Sequence, residues 1–185
     1  MSMATEKRIL IQGEELQRTI SRMAHEIVEK NGGVQDLTLI GIRSRGAHLV
    51  QRIAQKIEAL SGISPSLGII DVTPYRDDRK REETTNSLPM EVPVSLEEKT
   101  VVLVDDVIYT GLTIRAALDR MGHLGKPKRI LVAVLVDRGN RELPIKADIV
   151  GKNIQVPDAE RINVLLRESD GIDQVTVTRD RRSGT

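Results

Sequence analysis

Two adjacent carboxylates, Asp105 and Asp106, follow four apolar residues at 101–104, of which three are β-branched. Such a run is typical of a strand that is buried on both faces. The segment 110–113 then supplies two threonines and a glycine, just before apolar residues that recur at helical spacing. This order predicts an anion site, because the first N–H groups of a helix lack intrahelical partners.

The two acids restrict what this anion site could bind. Carboxylates beside a phosphate cradle would repel a bare phosphate, so we expect them to face ribose hydroxyls or Mg²⁺. The stretch therefore predicts a pocket for a ribose phosphate. The alternative is structural, since apolar runs end in Asp-Asp by chance and a Thr before a helix is often only a cap.

Two more predicted strands end in loops that could do chemistry, at 43–46 and 137–141. Arg43 and Arg45 flank a small residue and precede Gly46, which suits a diphosphate because guanidinium groups bind phosphate oxygens bidentately. A solvated surface turn is the other interpretation of 43–46. In a doubly wound sheet the loops after parallel strands converge at one edge.

The elements that must position these loops follow from hydrophobic periodicity. Leu16, Ile20, Met23 and Ile27 share one face of a helix that the sequence Asn-Gly-Gly at 31–33 should end. Ile53, Ile57 and Leu60 predict a second helix. Strands are predicted at 7–11, 37–42, 67–72, 101–104, 131–136, 147–150, 162–166 and 175–177. This alternation predicts an α/β fold with a central, mostly parallel sheet flanked by helices.

Residues 73–91 differ in kind from the rest of the chain, because they are polar and offer almost nothing to bury. A loop of this length is usually a functional lid or a disordered connector, and the composition does not choose between them. A β-hairpin arm is a third option. The basic tail at 179–182 favours a frayed terminus over a binding arm.

Composition narrows the class of protein. The 185 residues are enough for one well-buried domain, and the net charge of +1 argues against a global basic field for nucleic acid. With no cysteine, the chain has neither disulfides nor thiolate metal ligands. No apolar stretch approaches the roughly 18 to 20 residues that cross a bilayer. We therefore expect a cytoplasmic protein that does not associate with membranes.

The stretch from Val101 to Thr113 resembles the phosphoribosyl-diphosphate (PRPP) motif of type I phosphoribosyltransferases, which is an apolar strand, two acids and a Thr-Gly loop. Four further segments are similar to the bifunctional pyrimidine operon regulators with uracil phosphoribosyltransferase activity. They are residues 23–26, 41–46, 75–78 and 134–145 running on to 151–154. With the PRPP motif they span nearly the whole chain in the order of that family.

The resemblance implies roles for individual residues. Asp105, Asp106 and Arg76 would be catalytic, with Arg76 in a flexible lid at about 73–91. The residues implied to bind PRPP or UMP are Arg43, Ser44, Arg45, Gly46, Val107, Ile108, Tyr109, Thr110, Gly111, Leu112 and Thr113. Those implied for a pyrimidine-recognising hood, from about 137–185 with the N-terminal strand, are Asp137, Arg138 and Val156. Those implied for the RNA surface are Arg22, His25, Arg141, Lys146 and Lys152.

The resemblance also implies an activity and partners. The enzyme would convert uracil and PRPP to UMP and diphosphate, with Mg²⁺ carried by PRPP rather than held in a protein metal site. As a regulator it would bind the pyrimidine operon leader mRNA in a UMP-dependent way. It would be a homodimer or a higher homo-oligomer, and 1–185 would form a single phosphoribosyltransferase domain.

Three positions depart from the family pattern. Arg43-Ser44 stands where Lys-Thr is usual, Leu112 stands where the family has Arg, and Asn140 replaces a His that is common on the RNA face. A purine phosphoribosyltransferase is the enzymatic alternative, because a PRPP pocket does not choose the base. A second alternative, from another functional class, is an RNA-binding attenuator that has only vestigial catalysis. An ordinary, partly exposed surface residue is the alternative role for His25.

Overall fold

The computed structural model describes residues 7–72, 92 and 95–179. In these residues the chain forms eight strands and four helices in an α/β arrangement. The strands are β1 (Lys7–Gln12), β2 (Leu37–Ile42), β3 (Ser66–Ile70), β4 (Thr100–Ile108), β5 (Arg129–Asp137), β6 (Ile149–Asn153), β7 (Glu160–Leu165) and β8 (Gln174–Arg179). The helices are α1 (Gly13–Asn31), α2 (Arg45–Ser61), α3 (Leu112–Met121) and α4 (Arg167–Asp170).

The larger sheet is parallel and places β4 at its centre, in the order β3-β2-β4-β5-β6. The predicted buried strand at 101–104 is confirmed, but it does not end at the two acids. It continues to Ile108 because β5 runs alongside it, with Asp105 opposite Val134 and Ile108 opposite Asp137. The acidic pair therefore lies within the last residues of a paired strand.

Helices cover both faces of this sheet. Val102 and Val104 point into a core shared with α1 and α2, whereas Val101 and Leu103 point into a second core shared with α3. This alternation explains why β4 has no polar face until its carboxyl end. The four residues predicted for the buried face of the first helix are all buried in α1: Leu16, Ile20, Met23 and Ile27.

The predicted end of α1 is also confirmed. Gly32 adopts φ 73° and its N–H donates to the carbonyl of Glu29 at 3.0 Å, while the N–H of Gly33 donates to Val28. Leu60 differs from Ile53 and Ile57 in α2, because it is 47% exposed near the helix end and does not join the core.

A second, antiparallel sheet in the order β1-β8-β7 joins the N-terminal strand to the last two strands. It is tied to the larger sheet through one face of α2. Arg45 pairs with Asp170 of α4 at 2.9 Å, and Arg52 pairs with Glu168 and with Asp173 at 2.6 and 2.7 Å. The hydrogen bond to Glu168 and the two carboxylate charges raise the pKa of Arg52, against the effect of burial.

None of the helices in the described part of the chain is long and apolar enough to span a bilayer. The predicted lid at 73–91 lies outside the described residues, and so do residues 180–185.

Candidate functional site

The acidic pair lies at the carboxyl edge of the parallel sheet, with its two carboxylates in different environments. Asp105 is 1% exposed, and its Oδ1 accepts the N–H of Asp106 at 2.9 Å. Asp106 is half-buried, accepts the N–H of Val107 at 2.8 Å and lines a cavity. Asp106 is thus the acid that the cavity presents to a ligand, and Asp105 is held behind it.

This cavity has a volume of about 780 Å³ and lies between the carboxyl edge of the parallel sheet and the antiparallel sheet. Its charged lining consists of four cationic side chains and two carboxylates, which favours a ligand with net negative charge. The parallel-sheet side contributes Arg45, Asp106, Val107, Tyr109 and Arg138. The other residues of the lining are Lys7, Asp158, Arg161, Ile162, Asn163, Val164, Leu165, Thr176 and Thr178.

The loop after β4 forms the helix N-terminus that the sequence predicts. Gly111 precedes α3 with φ 96°, a conformation that favours glycine, and the first turn of α3 carries no acid. The carbonyl of Thr110 accepts the N–H groups of Glu142 and Leu143 at 2.9 and 3.2 Å, which holds the loop in place. The N–H of Leu112 donates to the Thr110 hydroxyl at 3.4 Å. The N–H groups at the start of a helix lack intrahelical partners, so this turn suits a phosphate.

The loop after β2 approaches the acidic pair because two glycines allow it. A Cβ on Gly46 would lie 2.6 Å from the carbonyl oxygen of Val104, and a Cβ on Gly41 would collide with Gly46. The first turn of α2 therefore lies directly against β4, just before Asp105. Ser44 precedes α2 without a side-chain cap, and the first turn of α2 has no acid. The Arg43–Ser44 peptide bond is cis.

Arg45 links this loop to the antiparallel sheet while it lines the cavity. Its guanidinium donates to Asp170 at 2.9 Å. Burial favours the neutral form of Asp170, yet the N–H of Leu166 and the guanidinium of Arg45 lower its pKa below the ordinary value. Asp170 therefore stays ionised and holds Arg45 at the edge of the cavity.

One end of the cavity, here named the Tyr109 end, is formed by Tyr109, Arg138 and Asp158. The guanidinium carbon of Arg138 lies 4.1 Å from the centre of the Tyr109 ring, which is a cation–π contact. Arg138 also donates to the carbonyl of Pro157 at 3.3 Å. Val156, predicted for the hood, is buried nearby in sequence but does not line the cavity.

Asp137 and Arg141, predicted as a base contact and an RNA contact, form an ion pair with each other. They pair at 2.7 Å, and Arg141 also donates to the carbonyls of Tyr109 and Ile145, both at 2.9 Å. Burial favours the neutral form of Asp137, but Arg141 and the N–H of Gly139 lower its pKa below the ordinary value. The pair fixes the loop after β5.

The other residues predicted for RNA lie on the surface, away from the cavity. Arg22 and His25 are one turn apart on α1, and Arg22 donates to the carbonyls of Val150 and Gly151 in the neighbouring β6. Lys152 of β6 pairs with Glu15 of α1. Lys146 is exposed in the loop before β6. Arg22 and Lys152 thus connect α1 with β6.

The remaining predicted site residues have varied surroundings. Ile108 is buried in the core beside α3, and its carbonyl accepts the N–H of Arg138. Leu112 and Thr113 are half-buried at the start of α3, and Arg43 is half-buried after β2. Arg76 lies outside the described residues.

The cavity's second wall comes from β1, β7 and β8, which fall in the segments that the resemblance implies for the hood, but none of their residues was predicted as a site residue. The sequence analysis also missed Asp158 and Arg161, because neither belongs to a motif and no local spacing marks them. Among the described residues, no cluster of three or more His, Asp or Glu side chains could hold a metal ion. Asp106, a carboxylate in the cavity lining, is a type of ligand that Mg²⁺ prefers.

Comparison with known proteins agrees with this geometry. A family model described as the phosphoribosyl transferase domain matches residues 9–168. Bifunctional protein PyrR of Chloroflexus aurantiacus is 51% identical over 178 residues, which cover 96% of this chain and 97% of the relative. The chain belongs to the PyrR family of phosphoribosyl transferase domain proteins. The PyrR protein of Pelotomaculum thermopropionicum is 48% identical over 179 residues, covering 95% of this chain and 97% of the relative.

Solved structures support the type I phosphoribosyltransferase fold of this PyrR-family chain. Hypoxanthine phosphoribosyltransferase of Trypanosoma cruzi superposes with a TM-score of 0.71 at 21% identity, covering 94% of this chain and 97% of the other. A second structure of that enzyme, in complex with the product IMP, superposes with a TM-score of 0.72 at 20% identity. The match covers 97% of this chain and 93% of the other. At such identities the likeness concerns the fold and does not select a base.

Proposed function

We propose that this PyrR-family chain transfers the phosphoribosyl group of PRPP to uracil, giving UMP and diphosphate, and that it also regulates a pyrimidine operon by binding leader mRNA when UMP is bound. The observation that carries the catalytic half is the position of Asp106. This carboxylate lines a mainly cationic cavity, and two helix N-termini free of acids flank the strand that bears it. The PyrR relatives, named as bifunctional, support the pairing of two activities.

The reaction places charge where this site can stabilise it. The N1 atom of uracil loses its proton to water and bonds to the anomeric carbon, while the bond from that carbon to the diphosphate oxygen breaks. In the transition state the ribose gains positive charge and the diphosphate gains negative charge. Asp106 binds the ribose hydroxyls, and the buried Asp105 next to it adds negative charge that stabilises the positive ring. The loop at 43–46 binds the departing diphosphate, and the loop at 110–113 binds the 5′-phosphate.

Mg²⁺ bound with PRPP would neutralise part of the diphosphate charge, with Asp106 as its protein ligand. The Tyr109 end of the cavity takes the base, with Arg138 in the lining and the other two hood residues, Asp137 and Val156, outside it. Lid closure with Arg76 excludes water and so suppresses hydrolysis of PRPP. These roles, together with a single domain and a cytoplasmic location, form part of the proposal.

RNA binding uses the border between α1 and β6, where Arg22 contacts β6 and Lys152 pairs with Glu15 of α1. His25 lies one turn along α1 from Arg22, and Lys146 lies in the loop before β6. Their carbonyl and carboxylate partners leave Arg22 and Lys152 partly exposed, at 53% and 44% of the side chain. Lysine and arginine at such a surface bind phosphates, so the affinity should fall with salt. A homodimer would present two such borders to one RNA. UMP favours the RNA-bound state only if it binds that state more tightly.

The test of the catalytic half is a radiolabelled assay with PRPP, Mg²⁺ and each nucleobase in turn. We expect UMP from uracil and negligible product from hypoxanthine and guanine, which separates the proposal from a purine enzyme. Asp106→Asn should lower kcat by about a hundredfold or more, because it removes the charge that stabilises the transition state. Asp36→Asn is the matched control, since Asp36 pairs with Lys99 at the opposite edge of the sheet.

The test of the regulatory half is a titration of the operon leader RNA with and without UMP at several salt concentrations. Lys152→Ala should weaken RNA binding at every salt concentration. It should also reduce the slope of log affinity against log salt concentration by about one. Near-normal UMP synthesis by Asp106→Asn would refute the catalytic assignment. RNA binding that ignores UMP at every salt concentration would refute the regulatory one.

A further inference from the structure

Asp158 lies between β6 and β7 and joins two loops at the Tyr109 end of the cavity. Its Oδ1 accepts the hydroxyl of Tyr109 at 3.2 Å and the side-chain amide of Asn140 at 3.2 Å. Tyr109 follows β4, whereas Asn140 follows β5. One carboxylate oxygen thus connects three separate segments around the same end of the cavity.

The stacked pair of Tyr109 and Arg138 is held by consecutive residues of one segment. Asp158 accepts the hydroxyl of Tyr109, and the carbonyl of Pro157 accepts a guanidinium N–H of Arg138 at 3.3 Å. If this segment moves, both members of the stack lose a partner together. The orientation of the stack therefore depends on residues 157–158.

Arg138 has the feature expected of a group that awaits a ligand. It is only 8% exposed, it lines the cavity, and its Nε is buried without a hydrogen-bond partner among the described residues. An unsatisfied N–H in a buried charged group is costly, so an acceptor from a bound ligand would relieve it. The carbonyl oxygens of a pyrimidine are acceptors of this kind.

We propose that Asp158 is a positioning residue for the nucleobase: by holding Tyr109 it keeps Arg138 oriented to donate to a carbonyl oxygen of the pyrimidine. This inference rests on the proposed function, because it takes the ligand of the cavity to carry a nucleobase. It goes beyond that function in assigning base affinity to a residue outside every motif in the sequence. The ribose and phosphate ends of the ligand bind independently of Asp158.

The experiment compares equilibrium binding of UMP with that of ribose 5-phosphate, which lacks the base. Asp158→Ala should raise the Kd for UMP about tenfold, the size expected when one hydrogen bond to a charged group is lost. The Kd for ribose 5-phosphate should not change. In the assay with uracil, the KM for uracil should rise by a similar factor while kcat stays within about twofold.

Four further variants, one of them a matched control, separate positioning from general damage. Asp158→Asn keeps an acceptor oxygen for Tyr109 and should restore most of the UMP affinity. Tyr109→Phe removes the same hydrogen bond, so the variant with both Tyr109→Phe and Asp158→Ala should bind UMP no more weakly than either single one. Asp119→Ala is the matched control, since Asp119 is an exposed acid on α3, 75% exposed in its side chain.

The outcomes are distinct. If the unaltered protein binds neither UMP nor ribose 5-phosphate, the proposed function itself fails. If it binds both, and Asp158→Ala either leaves the Kd for UMP unchanged or weakens both ligands equally, the proposed function stands and the positioning role is overturned. Additive effects of the Tyr109 and Asp158 substitutions would also overturn it.

Discussion

Replacing Arg52 with Met should lower the free energy of unfolding by about 3 kcal/mol, because it leaves a buried carboxylate without its cation. The side chain of Arg52 is 12% exposed, and that of its partner Asp173 is 7% exposed. Removing one member of a buried ion pair costs about 3–5 kcal/mol. We expect the lower end, because Glu168 is 36% exposed and water can solvate it. Met also keeps the apolar stem in place.

Urea unfolding followed by circular dichroism measures this loss, and thermal unfolding should show Tm lowered by about 6–12 °C. Arg18→Met is the matched control on α1. Its pair with Glu14 is exposed, at 73% and 94% of the two side chains, so its removal should cost less than about 0.5 kcal/mol. A loss below about 1 kcal/mol in Arg52→Met would show that the contact is not a buried ion pair in solution.

The same contact predicts a pH dependence. Burial favours the neutral form of Asp173, but Arg52 and the N–H of Arg167 lower its pKa, and the hydrogen bond from Arg52 lowers that of Glu168. The pKa of each carboxyl is lower in the folded protein than in the unfolded chain, where it is about 4. The ionised carboxylates therefore stabilise the fold above about pH 4, and this contribution is lost as the pH falls through the lower pKa values of the folded protein. Stability should therefore fall steeply below about pH 4. Arg52→Met should flatten that fall, and equal slopes in the two proteins would contradict this origin.

Two further substitutions test the loops around the site. Gly46→Ala should lower the free energy of unfolding by about 1–3 kcal/mol and abolish most PRPP binding, because the new Cβ would lie 2.6 Å from the Val104 carbonyl oxygen. Gly122→Ala is the control in the same urea and binding measurements, since its Cβ would have its nearest contact at 3.4 Å. Equal losses in the two variants would contradict the packing argument. Arg141→Gln should weaken UMP binding as well as RNA binding, since Arg141 fixes the loop after β5 through Asp137. An effect on RNA alone, measured by parallel titrations, would restore Arg141 to the RNA surface.

Periodicity and strand ends were enough to predict the parallel sheet and one wall of the site, because those signals are local. Leu16 and Ile27 belong to one helix, and Asp105 follows its strand directly, so their placement needs no distant partner. The helix N-terminus at 110–113 could be predicted for the same reason. Asp137 and Arg141 were assigned separate roles by resemblance to a family, yet they are four residues apart and form an ion pair with each other. Family motifs did not indicate this pair, although opposite charges at this spacing are visible in the sequence.

The rest of the cavity could not be predicted because it depends on contacts between distant parts of the chain. Lys7 lies opposite Thr178 in the antiparallel sheet, and Arg52 reaches Asp173 across 121 positions. The strands β1 and β7 are short and only partly buried, so their patterns say little about pairing. Asp158 acquires its partners only when the segment before β7 folds back over Tyr109.

A crystal structure of the protein with UMP tests the central claim most directly. We predict the phosphate on the N–H groups of 110–113, the ribose hydroxyls on Asp106 next to the buried Asp105, and the base at the Tyr109 end. A second cavity of about 890 Å³, lined by Glu14 and Arg18 among others, provides a separate place for a ligand. Electron density for UMP in that cavity, or anywhere other than beside the acidic pair, would contradict the account.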